Sequence, residues 1–174
     1  MLAFLTVAPQ LGGMGRTADY SKETCSVAGA LSVVGDPWTL LILRDAFGGV
    51  RRFDDWQARL GVARNVLAAR LKSLVAFGVM ETRLYSERPP RREYILTSKG
   101  RDLLPVLLTL KAWGDRHVYG ACGTPSPLAH KCGAVLEPRL VCDACGEALR
   151  GEDIRLEDRG DAAPPLGQVL AAAE

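Results

Sequence analysis

The sequence predicts an α+β fold, mainly helical with one small β-hairpin wing, followed by a small zinc-ribbon-like, cysteine-bearing module. Three observations lead there. The apolar periodicity is helical up to Gly78, alternates from Val79 to Leu96, and turns helical again after Thr97. Basic charge is concentrated in the middle of the chain, and four of the five cysteines lie after residue 120.

Composition frames this reading. With 174 residues, 48% hydrophobic and 24% charged, the chain can build one core of about 100 to 150 residues plus an appendage. Disordered, collagen-like and disulfide-only scaffolds are excluded. The least charged stretch, Thr24 to Leu43, is interrupted by Asp36-Pro37, and an aspartate at bilayer depth costs about 3 kcal/mol, so no membrane partner is expected. The opening MLAFLTVAPQLGGMG has no basic residue ahead of its apolar run, which argues against a secretory signal and for a cytoplasmic protein. Charge is segregated: residues 51 to 101 carry twelve Lys and Arg against five Asp and Glu, a net +7, whereas residues 1 to 50 carry −1 and residues 102 to 174 carry −4. A lone basic run is usually a solvated face; its internal pattern has to say more.

Residues 1 to 20 hold four glycines and prolines without a sustained period and read as a disordered leader, with Met14 as an alternative start. Cys25 to Val34 is a short apolar helix ended by Gly35. Asp36 and Pro37 supply the N-cap and first-turn proline of a helix over Trp38 to Phe47, closed by Gly48-Gly49. Phe53 to Leu60 forms a third helix, broken by Gly61. Ala63 to Phe77 forms a fourth, with Leu67, Leu71, Leu74 and Val75 on one face. Val79 to Tyr85 and Glu93 to Leu96 are two strands joined by the polar link SERPPRR. Thr97 caps a long helix from Ser98 to about Tyr119, apolar on more than one face, and its second cover is most simply another copy of the chain. The main domain thus spans residues 21 to 120, a linker 121 to 129, a Cys/His module 130 to 157 and a flexible tail 158 to 174.

Three helices followed by a two-stranded hairpin make a winged helix-turn-helix, in which the second helix of the pair enters the major groove and the wing follows the backbone or minor groove. The stretch GDPWTLLILRDAFGGVRRFDDWQARLGVARNVLAARLKSLVAFGVMETRLYSERPPRREYILTSKGRDLLPVL resembles the HxlR family of bacterial winged-helix regulators, over about residues 25 to 117. Asp36-Pro37, Asp55-Trp56 and Ala63 depart from that family's pattern. Ala63 stands where a serine usually caps the recognition helix, a loss of about 1 kcal/mol. The resemblance implies a homodimeric transcriptional regulator, expected to repress from a palindromic operator in double-stranded DNA. Redox-, metal- or small-molecule-responsive control is the alternative within the same fold.

On a helical wheel the leucines of residues 63 to 77 face inward, so Asn65, Ala69 and Lys72 face outward with Ala68 and Ser73 beside them. Arg64 and Asn65, in the first turn, reach base edges: arginine suits guanine and asparagine suits adenine. Lys72 and Arg52 suit phosphate, and Arg88, Arg91 and Arg92 display charge around the stiff Pro89-Pro90 tip for backbone or narrow-groove contact. Arg70 lies nearer the buried flank, where a structural ion pair competes with DNA contact.

The cysteines divide into two groups. Cys25 opens the first helix, where the helix dipole favours thiolate. The resemblance aligns it with a cysteine that some relatives use to sense oxidants or electrophiles, although a small buried hydrophobe is the simpler role. Cys142-Asp143-Ala144-Cys145-Gly146 has the spacing of a zinc knuckle, and His130-Lys131-Cys132-Gly133 resembles a partner half one residue short. His130, Cys132, Cys142 and Cys145 would complete a structural zinc site, with Cys122 or His117 as substitutes for His130. Free thiols or a disulfide are the competing readings. Two histidines in all, no G-x-S-x-G elbow and no Walker loop argue against an enzyme.

Overall fold

Asp36 sets the geometry of the first two helices. Its carboxylate accepts the backbone N–H groups of Trp38 at 2.9 Å and Thr39 at 3.3 Å, and Pro37 follows where a missing N–H costs nothing. In the computed structural model, which describes residues 19–155 and 164–171, α1 (Ser26–Val34) and α2 (Pro37–Phe47) meet at 77°. Among the described residues no single helix is long and apolar enough to cross a membrane. The expected leader falls outside the described residues up to residue 18. Where a flexible tail is expected, residues 156–163 and 172–174 also fall outside, and Leu166–Ala171 forms a short helix.

Helix α3 (Phe53–Leu60) stops at Gly61, and α4 (Arg64–Ala76) is followed by Gly78. Both glycines have positive φ, +63° and +66°, a conformation a side chain disfavours. The inner faces of the four helices close around Val34, Ile42, Leu43, Trp56, Leu67, Leu71 and Leu74, continued by Val79 and Met80. The three leucines of α4 are those its periodicity predicts. Trp56 is fully buried, and its Nε1–H donates to the Ile42 carbonyl at 3.2 Å, satisfying its one polar atom. Asp45 is also buried and holds Arg44 at 2.8 Å and Arg59 at 3.4 Å, tying α2 to α3.

Strands β1 (Met80–Glu87) and β2 (Pro90–Leu96) pair antiparallel, from Met80 opposite Leu96 to Glu87 opposite Pro90, with a bulge at Tyr85. This corrects the expected loop: the link SERPPRR is mostly paired strand, and the turn holds only Arg88 and Pro89. The outer half of the hairpin is exposed on both faces, so strand pairing there follows backbone bonding, which an apolar alternation cannot reveal. Pro90 is admitted because a strand's first residue can forgo its N–H. At the root, Tyr94 N–H donates to the Arg51 carbonyl at 2.8 Å and its ring meets Trp56 edge-on at 6.0 Å.

The long helix expected from Ser98 to Tyr119 is broken. Thr97 accepts Gly100 N–H at 3.1 Å and caps α5 (Ser98–Arg101), but α6 (Leu104–Gly114) starts anew after Asp102-Leu103. Pro105 has no N–H to give the Arg101 carbonyl and its ring crowds that oxygen. Beyond α6 the chain widens into a π-helical turn, Asp115–Tyr119, and a 3-10 turn, Gly120–Cys122. Leu103 and Leu107 pack against the core. Val106, Leu110 and Trp113 point away from it and are 50%, 49% and 58% exposed.

Candidate nucleic-acid interface

Helices α3 and α4, joined by Gly61-Val62-Ala63, present the outer face of α4. Val62 is buried and pins the turn, while Ala63 makes no side-chain cap bond to the helix it opens. Asn65, Ala68, Ala69 and Lys72 are all exposed, giving a flat stripe with small residues at its middle. The far end of α4 is held by Lys99, whose Nζ donates to the Phe77 carbonyl at 2.8 Å, a cation placed where the helix dipole is negative.

A cleft of about 390 Å³ runs between this helix pair and the wing, and Arg52, Arg64, Arg91 and Arg92 line it with Tyr85. Phe53, Asp54 and Asp55 complete it from α3. The bulge at Tyr85 turns that ring toward Arg52, whose guanidinium lies 4.6 Å from its centroid. Arg64 lies over Phe53 at 4.8 Å, with Nη1 at 3.2 Å from Asp54 Oδ1 and bonded to Gln57 Oε1. Arg92 Nη1 donates to Thr82 Oγ1 at 3.4 Å. Arg91 and Arg92 therefore sit within β2 on the cleft, not at the tip, which Arg88 occupies with Pro89. Lys72 is exposed farther along α4, outside the cleft lining. Arg70 turns inward and pairs with Asp36 at 2.8 Å, the structural alternative expected for it.

Sequence reasoning missed the clamp on Arg64. Asp54 and Gln57 stand ten and seven residues before it, and only the angle between α3 and α4 brings them together. Tyr85 was equally hidden, since an alternating strand gives no sign of a bulge.

Away from the cleft, Cys25 is exposed just ahead of α1. All five cysteines are free thiols. His130 Nδ1 lies 3.2 Å from Cys132 Sγ. The backbone N–H groups of Cys145 and Ala144, with the Cys145 thiol, hold the Cys142 thiol below the ordinary thiol range. The four expected metal ligands do not form one closed set: among the described residues no group of three or more His, Cys, Asp and Glu is gathered to hold an ion.

A helix pair with an exposed recognition face, flanked by a basic two-stranded wing, defines a transcriptional regulator with a helix-turn-helix DNA-binding fold. The chain belongs to the HxlR-like helix-turn-helix family, whose model matches residues 33–120. It is 44% identical over 133 residues to an HTH-type transcriptional regulator of Mycobacterium tuberculosis, covering 76% of this chain and 84% of that protein. The regulator YdeP of Bacillus subtilis is 33% identical over 103 residues, 57% of this chain and 80% of YdeP. Among solved structures, the transcription factor candidate PA1607 is similar at 39% identity with TM-score 0.71, over 80% of this chain and 98% of that one. The redox regulator HypR in its reduced form is similar at 31% identity with TM-score 0.50, over 54% of this chain and 96% of HypR. An alignment of 133 residues cannot fit within residues 1 to 120, so the likeness to the mycobacterial protein runs past the family's domain into the C-terminal segment.

Proposed function

We propose that the chain binds double-stranded DNA sequence-specifically as a homodimer and represses transcription by occupying a palindromic operator. One observation carries this reading: four arginines, from the residue ahead of α3, from α4 and from β2, converge on a single cleft beside the exposed face of α4. Arg52, Arg91 and Arg92 there, with Lys72 and Arg88 beyond it, meet phosphates and set the register. Arg64 and Asn65 read base edges, and the alanines behind them allow close approach. Dimerisation is supported by Val106, Leu110 and Trp113 of α6 and by Val27 and Leu31 of α1, all exposed, a set of large apolar groups that a second copy would cover. Two recognition helices related by a twofold axis then address half-sites about 34 Å apart. The reading entails a cytoplasmic protein associated with the nucleoid.

The test is fluorescence anisotropy with duplex DNA from the flank of the protein's own gene, at several salt concentrations. Affinity should fall steeply as salt rises, because each neutralised phosphate releases counterions. Absent or salt-insensitive binding overturns the reading.

A second reading makes the regulator redox-responsive. Cys25 is exposed ahead of α1, and the redox regulator HypR shares the fold. Peroxide would take two electrons from the Cys25 thiolate, giving a sulfenic acid and reducing the peroxide to water. Operator affinity that changes on peroxide treatment in the natural protein and not in Cys25→Ser supports it; identical responses reject it.

A further inference from the structure

We propose that a cavity between α6 and the turn at residues 128–136 binds a small aromatic monocarboxylate, held by Arg116 and Arg139 over an apolar floor. The cavity measures about 390 Å³, within the range of about 300–1,000 Å³ that small-molecule sites occupy. Lys111, Ala112 and Asp115 form one wall, and Leu128, Leu136 and Pro138 form the wall that faces them. Main-chain bonds hold the second wall in shape. Leu136 N–H donates to the Leu128 carbonyl at 2.7 Å, Ala129 bridges to Val135, and His130 N–H donates to the Ala134 carbonyl at 2.9 Å. Between residues 121 and 155 only Leu136, Pro138 and Cys142 are half-buried, so two of the three covered side chains in this stretch are those that meet α6 here.

Charge on the lining selects the ligand. Lys111 Nζ donates to Asp115 Oδ2 at 2.6 Å, so these two cancel within their own wall. Arg116 and Arg139 also line the cavity and are exposed at its mouth, and among the described residues neither is engaged in an ion pair. Glu137 is the remaining charged group, which leaves the lining at a net +1. A monoanion neutralises that charge, whereas a dianion overshoots it and is repelled by Glu137. A guanidinium offers a carboxylate two parallel N–H donors. It also stacks on rings, which favours an aromatic body over an aliphatic one. Ala112, Leu128, Leu136 and Pro138 take that body out of water.

The cavity stands apart from the family's domain, since its lining from Thr124 to Arg139 lies beyond the matched residues 33–120. It shares no residue with the cleft between α4 and the wing. On α6, Leu108, Lys111 and Ala112 lie about half a turn round the helix from Val106, Leu110 and Trp113. A second copy seated on the exposed apolar face therefore leaves the cavity open. Ligand binding here is independent of the DNA-binding reading.

Isothermal titration of the full-length protein, without DNA, tests the site with 1-naphthoate as probe and the uncharged 1-naphthamide as its match in shape. About one naphthoate per chain is expected, with naphthamide about ten-fold weaker or more. Arg116→Ala and Arg139→Ala should each weaken naphthoate about five-fold or more, and Glu137→Gln should tighten it about two- to five-fold. Ala112→Leu adds bulk to the floor while keeping a good helix former, and should weaken both compounds alike. Circular dichroism establishes that each variant is folded. No saturable naphthoate binding overturns the proposal. Equal affinity for the two compounds overturns recognition by charge. Naphthoate binding unchanged in Arg116→Ala, Arg139→Ala and Ala112→Leu overturns the location.

Discussion

Arg70 Nη2 on the recognition helix stands 2.8 Å from Asp36 Oδ2, while Oδ1 of the same carboxylate caps α2 through Trp38 and Thr39. One side chain thus starts one helix and fixes the angle of another.

Replacing Asp36 separates the two roles. Asp36→Ala should cost about 1–2 kcal/mol, because it removes the cap and the Nη2 pair of Arg70, whose buried Nε already lacks an acceptor. Asp36→Asn retains a capping oxygen and should lose less than about 1 kcal/mol, since the ion pair is partly solvated. Urea unfolding of both variants measures this, and equal losses would assign the whole effect to the charge.

Gly100 lies where α5 crosses the root of the wing, and a Cβ there would overlap the Val79 carbonyl oxygen. Backbone is in the way, not a movable side chain, so Gly100→Ala should destabilise by about 2–4 kcal/mol. Thermal unfolding checks it; a variant as stable as the natural chain would mean that the wing root shifts freely.

On DNA, Arg91→Ala should weaken binding to every sequence and reduce the salt slope by about one. Asn65→Ala should instead alter base preference, by about 1–3 kcal/mol at one position. Asp54→Ala removes the carboxylate that competes for Arg64, leaving Gln57 and Phe53 to hold it, and should tighten binding about two- to five-fold. Anisotropy titrations on matched and scrambled duplexes distinguish the three; identical behaviour of Arg91→Ala and Asn65→Ala would abolish the division between positioning and reading.

For assembly, Leu110→Glu or Val106→Glu should give a folded monomer with much weaker operator binding. Leu107 is the wrong site for this test, because it packs against the core and its replacement would unfold the chain. Sedimentation velocity reads the outcome, and a variant that stays dimeric places the interface elsewhere.

Much of the fold was legible because its boundaries are written in residues with local meaning. Asp36-Pro37 begins a helix wherever it falls, Gly61 and Gly78 end helices, and Leu67, Leu71 and Leu74 mark the inner stripe of α4 without outside help. The break before α6 was hidden by its own hydrophobicity: Pro105 sits in an apolar run, and periodicity alone bridged it. The wing's length was hidden because Ser86, Glu87, Arg91 and Arg92 pair through backbone while facing solvent. In the site, the exposed Asn65 and Lys72 followed from the wheel, whereas the stacking of Arg52 and Arg64 needed the relative placement of three elements that no local pattern encodes.

Arg52 resting on Tyr85 and Arg64 resting on Phe53 bear on the thermodynamics of encounter. A free arginine gives up rotational freedom when it docks, at about 0.5–1.5 kcal/mol per side chain. These two have already surrendered part of it in the unbound protein, Arg52 held on a flat ring and Arg64 held on a ring and by Asp54 and Gln57. The cleft therefore meets its ligand as a rigid template rather than a flexible fringe, and calorimetry should find a smaller entropic penalty on association for the natural chain than for Tyr85→Ala.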